Sequence, residues 1–114
     1  MEVYTLMAMQ KELTIDALLL RKGTLLLRVI NNTLRQQILK LTQQQGQLTV
    51  TQIYIKLKLE QSVASQHLAI LRRAGFVKAE RKGKHIFYSI HAESIQKVHK
   101  EVYHLLGLNE EEKK

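Results

Sequence analysis

Leu59-Glu-Gln-Ser-Val-Ala-Ser-Gln-His-Leu-Ala-Ile-Leu-Arg-Arg-Ala-Gly-Phe-Val77 is the run on which the reading of the fold turns. Ala64, Leu68 and Leu71 recur at spacings of four and three, the apolar stripe of an amphipathic helix. Gly75 stands where a left-handed C-terminal cap would end that helix, just before the apolar pair Phe76 and Val77. The opening turns carry Gln61, Ser62, Ser65, Gln66 and His67. These polar side chains have no place on the stripe, and such groups donate to and accept from base edges in a DNA major groove.

The chain continues as Lys78-Ala-Glu-Arg-Lys-Gly-Lys-His-Ile-Phe-Tyr88, which reads as two short strands joined by a basic turn at Arg81 to Lys84, with Gly83 supplying the unusual backbone angle. Between Arg72 and Lys84 there are six Lys or Arg against one acid, Glu80. Arg72, Arg81, Lys82, Lys84 and His85 are therefore the expected backbone-contacting group, beside a base-reading group at Gln61, Ser62, Ser65, Gln66 and His67. A charged hairpin is often no more than a solvated turn. Its position directly after a polar-tipped helix favours DNA contact.

Upstream, Thr49 opens a short helix with Val50, Ile53 and Leu57 facing inward, and Lys58, Leu59 and Glu60 form the turn into the next, giving helix-turn-helix spacing. Leu34, Ile38 and Leu41 predict a helix from about Thr33 to Gln44, capped by Asn32 or Thr33 and ended by Gly46. Before it, Thr14 is placed to cap a helix reaching about Ile30, with Asp16 suiting its positive end. Ile15, Leu18, Leu19, Leu25, Leu26 and Val29 give that helix a broad apolar face, which fits either the chain's own core or a partner helix. Val3, Leu6 and Met7 share a further helical face near the start. Downstream, His91 to Ser94 lead into a last helix striped by Ile95, Val98, Val102 and Leu105; Gly107 and Asn109 end it, and residues 110–114 read as a frayed tail.

Composition narrows the function classes. A chain of 114 residues reads as one domain, with a modest core and no room for a deep catalytic cleft. Its net charge of +8 favours an anionic partner, and Ala17 to Leu59 holds seven basic residues and no acid. The absence of cysteine removes disulfides, thiolate metal sites and thiol redox sensing. No cleavable-signal pattern and no long apolar run stands out, so the expectation is a soluble cytoplasmic protein without membrane contact. No nucleophile elbow, phosphate-binding glycine loop, HExxH motif or carboxylate pair is present, and Asp16 is the only aspartate, so the chain reads as no enzyme.

Helices, basic wing and final helix in this order resemble the winged-helix repressors of the ArsR/SmtB family. The likeness is carried by Leu59 to Val77, by Arg81-Lys-Gly-Lys-His-Ile-Phe-Tyr-Ser-Ile90, and by Asn31-Asn-Thr-Leu-Arg-Gln-Gln-Ile-Leu39. The last is similar to the family's Ala-Asn-Pro-Thr-Arg-Leu-Arg-Ile-Leu signature at Asn32, Arg35, Ile38 and Leu39, with Thr33 in place of the usual proline. The resemblance implies a mainly α winged helix-turn-helix of about five helices plus a two-stranded wing. It also implies a homodimer formed through helices at 14–30 and 92–106, with Ile15, Leu18, Leu19, Leu25, Val98, Val102 and Leu105 in the interface. Its partner would be double-stranded DNA with a two-fold-symmetric operator.

The family's metal sensors do not carry over. The segment Thr49 to Leu57, where a Cys-x-Cys pair is usual, has no thiol, and the positions of the Asp-x-His pair on the last helix are Ala92 and Ser94. His91, His99 and His104 lie on or beside that helix, but at about 100° per residue positions 99 and 104 diverge by about 140°, so one helix face cannot gather all three. No metal and no cofactor is expected. The chain therefore reads as a sequence-specific transcriptional regulator acting as a dimeric repressor; the alternative is a winged-helix module that binds a protein partner or RNA.

Overall fold

The computed structural model describes residues 15–108. Within them lie α1 (Ala17–Ile30), α2 (Thr33–Gln45), β1 (Leu48–Thr49), α3 (Val50–Leu57), α4 (Gln61–Arg73), β2 (Val77–Lys82), β3 (His85–Ile90) and α5 (Ala92–Leu105). Five helices and a wing are as expected. One strand was not: Leu48–Thr49 joins the hairpin, making a three-stranded antiparallel sheet in the order β1-β3-β2. The expected Thr14 cap, the face at Val3, Leu6 and Met7, and the tail at 110–114 lie outside the described residues.

Local chemistry sets each boundary. Asp16 is itself the cap of α1, its carboxylate accepting from the amides of Leu18 and Leu19 at 3.0 and 3.1 Å. Asn32 caps α2 by accepting from the amide of Arg35 at 2.9 Å. Thr49 and Gln52 form a reciprocal capping box at the start of α3. His91 caps α5: its Nδ1 accepts from the amide of Ser94 at 3.3 Å and lies 2.7 Å from the Ser94 hydroxyl. At the far end of α4, Gly75 has φ +84°, the Phe76 amide donates to Leu71 O and the Gly75 amide to Arg72 O. This double bond pattern is a Schellman motif, and it reverses the chain into β2. The same pattern closes α3 with Lys58 in the left-handed position at φ 55°, the Leu59 amide donating to Tyr54 O.

The core gathers the stripes onto one another. Ile38 and Leu39 from α2, Leu48, Ile53 from α3, Ala64, Leu68 and Leu71 from α4, and Phe76 and Val77 are buried. Thr42 is buried with them, its hydroxyl donating to Ile38 O at 2.7 Å. Each large aliphatic side chain so buried contributes about 1.5–3 kcal/mol relative to exposure. In β3, Tyr88 faces this core while Phe87 points to the other side of the sheet, opposite Thr49 and Glu80.

The outer helices behave differently. Neither α1 nor α5 contains a buried residue. Val29, at the end of the broad apolar face of α1, packs against the core, as do Ile95 and Val98 from α5, the last of them expected in the dimer interface. Upstream of Val29, Ile15, Leu18, Leu19, Leu20 and Leu25 are exposed, as is Leu105 on α5 at 78%.

Candidate nucleic-acid interface

The helix α4 divides cleanly by angle. At about 100° per residue, Gln61, Ser62, Ser65, Gln66, Ala69, Arg72 and Arg73 fall within an arc of about 140°, and all seven are exposed. Ala64, Leu68 and Leu71 occupy the opposite side and are buried. The core thus fixes the rotation of α4 and turns its polar arc outward. Glu60, at the N-cap, makes no side-chain bond to the first turn.

His67 was expected among the base-reading residues, and the structure gives it a different neighbour. It is half-buried, with Nδ1 3.2 Å from Nη1 of Arg35. A guanidinium only donates, so Nδ1 accepts and the neutral ring carries its proton on Nε2. Burial, and after it the Arg35 charge, holds the imidazole below its ordinary value. Arg35 also donates through Nε to Val29 O at 2.6 Å and through Nη2 to Arg28 O at 3.3 Å. Arg35 was noted in the sequence only as a signature match, because its role depends on contacts with distant residues.

The wing follows from the Schellman turn. Lys82 pairs with His85 across a two-residue turn, Gly83–Lys84, shorter than the expected Arg81 to Lys84. Only Gly83, at φ +64°, has positive φ there, as in a type II′ turn. Arg81, Lys82, Lys84 and His85 are all exposed. Cross-strand register puts Arg81 opposite Ile86 on one side of the ribbon and Lys82 opposite His85 on the other, so the cations flank both sides of the tip. Arg73 and Lys78, outside the expected contact group, extend the basic surface between helix and wing and are exposed.

The region from Asn32 to Ala79 matches the family model described as bacterial regulatory protein, arsR family. A transcriptional activator of Vibrio cholerae, HlyU, is 35% identical over 75 residues, which cover 66% of this chain and 68% of that protein. The crystal structure of the transcriptional repressor PagR of Bacillus anthracis superposes with a TM-score of 0.61 at 32% identity, covering 73% of this chain and 94% of that one. The chain belongs to the ArsR family. An uncharacterized HTH-type transcriptional regulator of Bacillus subtilis is 55% identical over 49 residues, but the matched part spans only 43% of this chain and 49% of that relative. The homodimeric winged helix-turn-helix DNA-binding domain of a Mycobacterium bovis protein, in a solution structure, superposes with a TM-score of 0.66 at 28% identity, covering 82% of this chain and 88% of that domain.

As an ArsR-family member the chain carries the DNA-binding winged helix-turn-helix of a transcriptional regulator. Among the described residues no three His, Cys, Asp or Glu side chains converge on a point that could hold a metal ion, and no helix is long and apolar enough to cross a membrane.

Proposed function

We propose that this ArsR-family chain acts in the cytoplasm as a homodimeric, sequence-specific repressor, reading bases with Gln61, Ser62, Ser65 and Gln66 and anchoring phosphates with Arg72, Arg81, Lys82 and Lys84. The observation that carries this reading is the exposed polar arc of α4, held outward by the burial of Ala64, Leu68 and Leu71. Amide and hydroxyl groups on such an arc match the donor and acceptor pattern of a major groove.

Dimerisation is supported by the apolar surface that the described residues leave uncovered. Leu19, Leu20, Leu27, Val98, Val102 and Leu105 line a groove of about 600 Å³ between α1 and α5. Ile15 and Leu18 extend the exposed surface along α1, and the similar Mycobacterium bovis domain is homodimeric. Two-fold symmetry would present two copies of α4, and hence two half-sites, to one face of a duplex. Repression follows from occupancy, since a dimer across successive grooves excludes other proteins from that stretch. The likeness to the repressor PagR supports that direction.

Selection of the purified protein on a random-DNA library at ~150 mM salt, where purely electrostatic binding is suppressed, tests the reading. Enrichment of an imperfect palindrome with half-sites about one helical turn apart is expected. Binding confined to low salt, with nothing enriched, would overturn it in favour of a protein or RNA partner. A reporter driven from the enriched site then separates repression from activation.

A further inference from the structure

The C-terminal end of α1 leaves four backbone carbonyls for which the helix has no further amide of its own. Leu27 O accepts from the Asn31 amide at 2.8 Å, and Ile30 O from the Asn32 amide and the Gln36 side chain at 2.7 and 2.9 Å. The two between them, Arg28 O and Val29 O, are taken by one side chain, Arg35, at 3.3 and 2.6 Å. A positive charge there also complements the negative end of the helix dipole. The same guanidinium reaches Nδ1 of His67, in the middle of α4, at 3.2 Å. One planar group on α2 therefore ties α1, which presents the uncovered apolar surface, to α4, which presents the polar arc.

We propose that Arg35 is a positioning residue for DNA reading: by holding the end of α1 and Nδ1 of His67 together, it fixes the pose of α4 and so sets how well the protein discriminates its site from other DNA. The chemistry is demanding. Three acceptors in three directions need the fork of a guanidinium, and an ammonium at the same place can serve them only in part. On the α4 side the bond needs an acceptor at Nδ1, which the neutral imidazole supplies with its proton on Nε2. His67 is thus held away from the groove on one edge, while Gln66 and Ser65 beside it stay exposed. The inference rests on the assignment of α4 as the base-reading element.

The test uses the full chain and the DNA sequence enriched by selection, with random DNA of equal length as reference, and reads the ratio of the two affinities. Arg35→Lys and His67→Leu are each expected to lower that ratio by about 10-fold, the scale of one lost hydrogen bond to a charged group. The double variant should fall no further than the worse single one, because both remove the same link. His67→Asn, which keeps an acceptor near the Nδ1 position, should restore most of the ratio. A purely structural role would lower thermal stability and leave the ratio of the folded variants at the wild-type value; that result, or additive losses in the double variant, overturns the proposal. If Arg35→Lys or His67→Leu does not fold, nitrogen NMR of the wild-type imidazole still decides. A proton found on Nδ1 at neutral pH rejects the link, and a proton on Nε2 with Nδ1 accepting supports it. A wild-type protein that shows no discrimination removes the base-reading assignment itself, whereas discrimination retained by folded variants removes only the role of Arg35.

Discussion

Lys82 donates from Nζ to Oε1 of Gln47 at 3.2 Å, so the tip of the wing is tied to the loop that leads into β1. The ammonium also lies 5.7 Å from the centre of the Phe87 ring, an exposed cation–π contact of about 0.5–1 kcal/mol. Both partners are uncharged, so the positive charge remains available to a phosphate even though the side chain is already oriented. Lys82→Ala is accordingly expected to weaken binding to all sequences alike and to flatten the log–log dependence of affinity on salt by about 0.9 for each Lys82 removed, or about 1.8 for a dimer. Gln47→Ala removes the tie and no charge, so its salt slope should stay at the wild-type value. Salt titrations of the two variants separate charge from orientation, and equal slopes would show that Lys82 meets no phosphate.

Gln66 tests the other half of the proposed division of labour. Its side chain is exposed on the polar arc, one residue from the half-buried His67. Gln66→Ala should relax specificity at a single base pair and cost about 1–3 kcal/mol on the selected site, with little change on random DNA. Competition binding against single-base variants of the site measures this. Uniform loss across every variant would place Gln66 on the phosphate backbone instead.

The elements that were legible in the sequence are those fixed by neighbours close in the chain. The stripe at Ala64, Leu68 and Leu71 gave α4, and Gly75 gave its end, because helix periodicity and capping act within a few residues. The pair Leu48–Thr49 was not legible as a strand. It is two residues long, lies between a polar glutamine loop and a capping box, and becomes a strand only by pairing with Tyr88 and Phe87, far along the chain. The place of His67 was hidden for the same reason. Its polarity resembles that of Gln66, and only the packing of α2 beside α4 shows that its Nδ1 meets Arg35.

Two of the helix ends with positive φ, at Gly75 and Lys58, give opposite expectations for stability. A Cβ built on Gly75 would meet nothing within 4 Å, so Gly75→Ala suffers only from its φ of +84°. That strain should cost about 1–2 kcal/mol. Lys58 already occupies such a position at φ 55°, and Lys58→Gly should relieve strain there, less the extra chain entropy that glycine loses on folding. A net gain of about 0.5–1 kcal/mol is expected. Urea unfolding of both variants checks the signs, and a Lys58→Gly variant less stable than wild type would contradict the strain assignment.

Acid should act on His67 in a stated direction. Its folded-state pKa lies below the ordinary value of 6.5, chiefly through burial and then through Arg35. Between the two values the unfolded chain binds the proton and the folded chain does not, so stability rises with pH across that window. The contribution of His67 is neutral well above pH 6.5, and stability is lost progressively as pH falls through 6.5 towards the lowered folded value. Comparing urea midpoints at about pH 7.5 and pH 5.5 should show a smaller acid loss in His67→Asn than in the wild type, because asparagine does not titrate. An equal loss in both proteins would assign the acid sensitivity to other groups.

The uncovered surface of α1 and α5 makes the strongest prediction about assembly. Leu19 is 64% exposed and lines the groove between these helices together with Leu105. Leu19 projects largely into solvent on a helix that contains no buried residue, so Leu19→Glu should leave the fold intact. In a dimer that buries this face, the same carboxylate would be desolvated, a penalty of several kcal/mol per ion, repeated by symmetry on the second chain. Sedimentation equilibrium should therefore show the wild type as a dimer and Leu19→Glu as a folded monomer. Affinity for the selected palindrome should fall steeply in the variant, because one α4 reads one half-site, while affinity for a single half-site should change little. A Leu19→Glu protein that remains dimeric would move the interface away from the α1–α5 groove, and with it the geometry by which two copies of α4 address one operator.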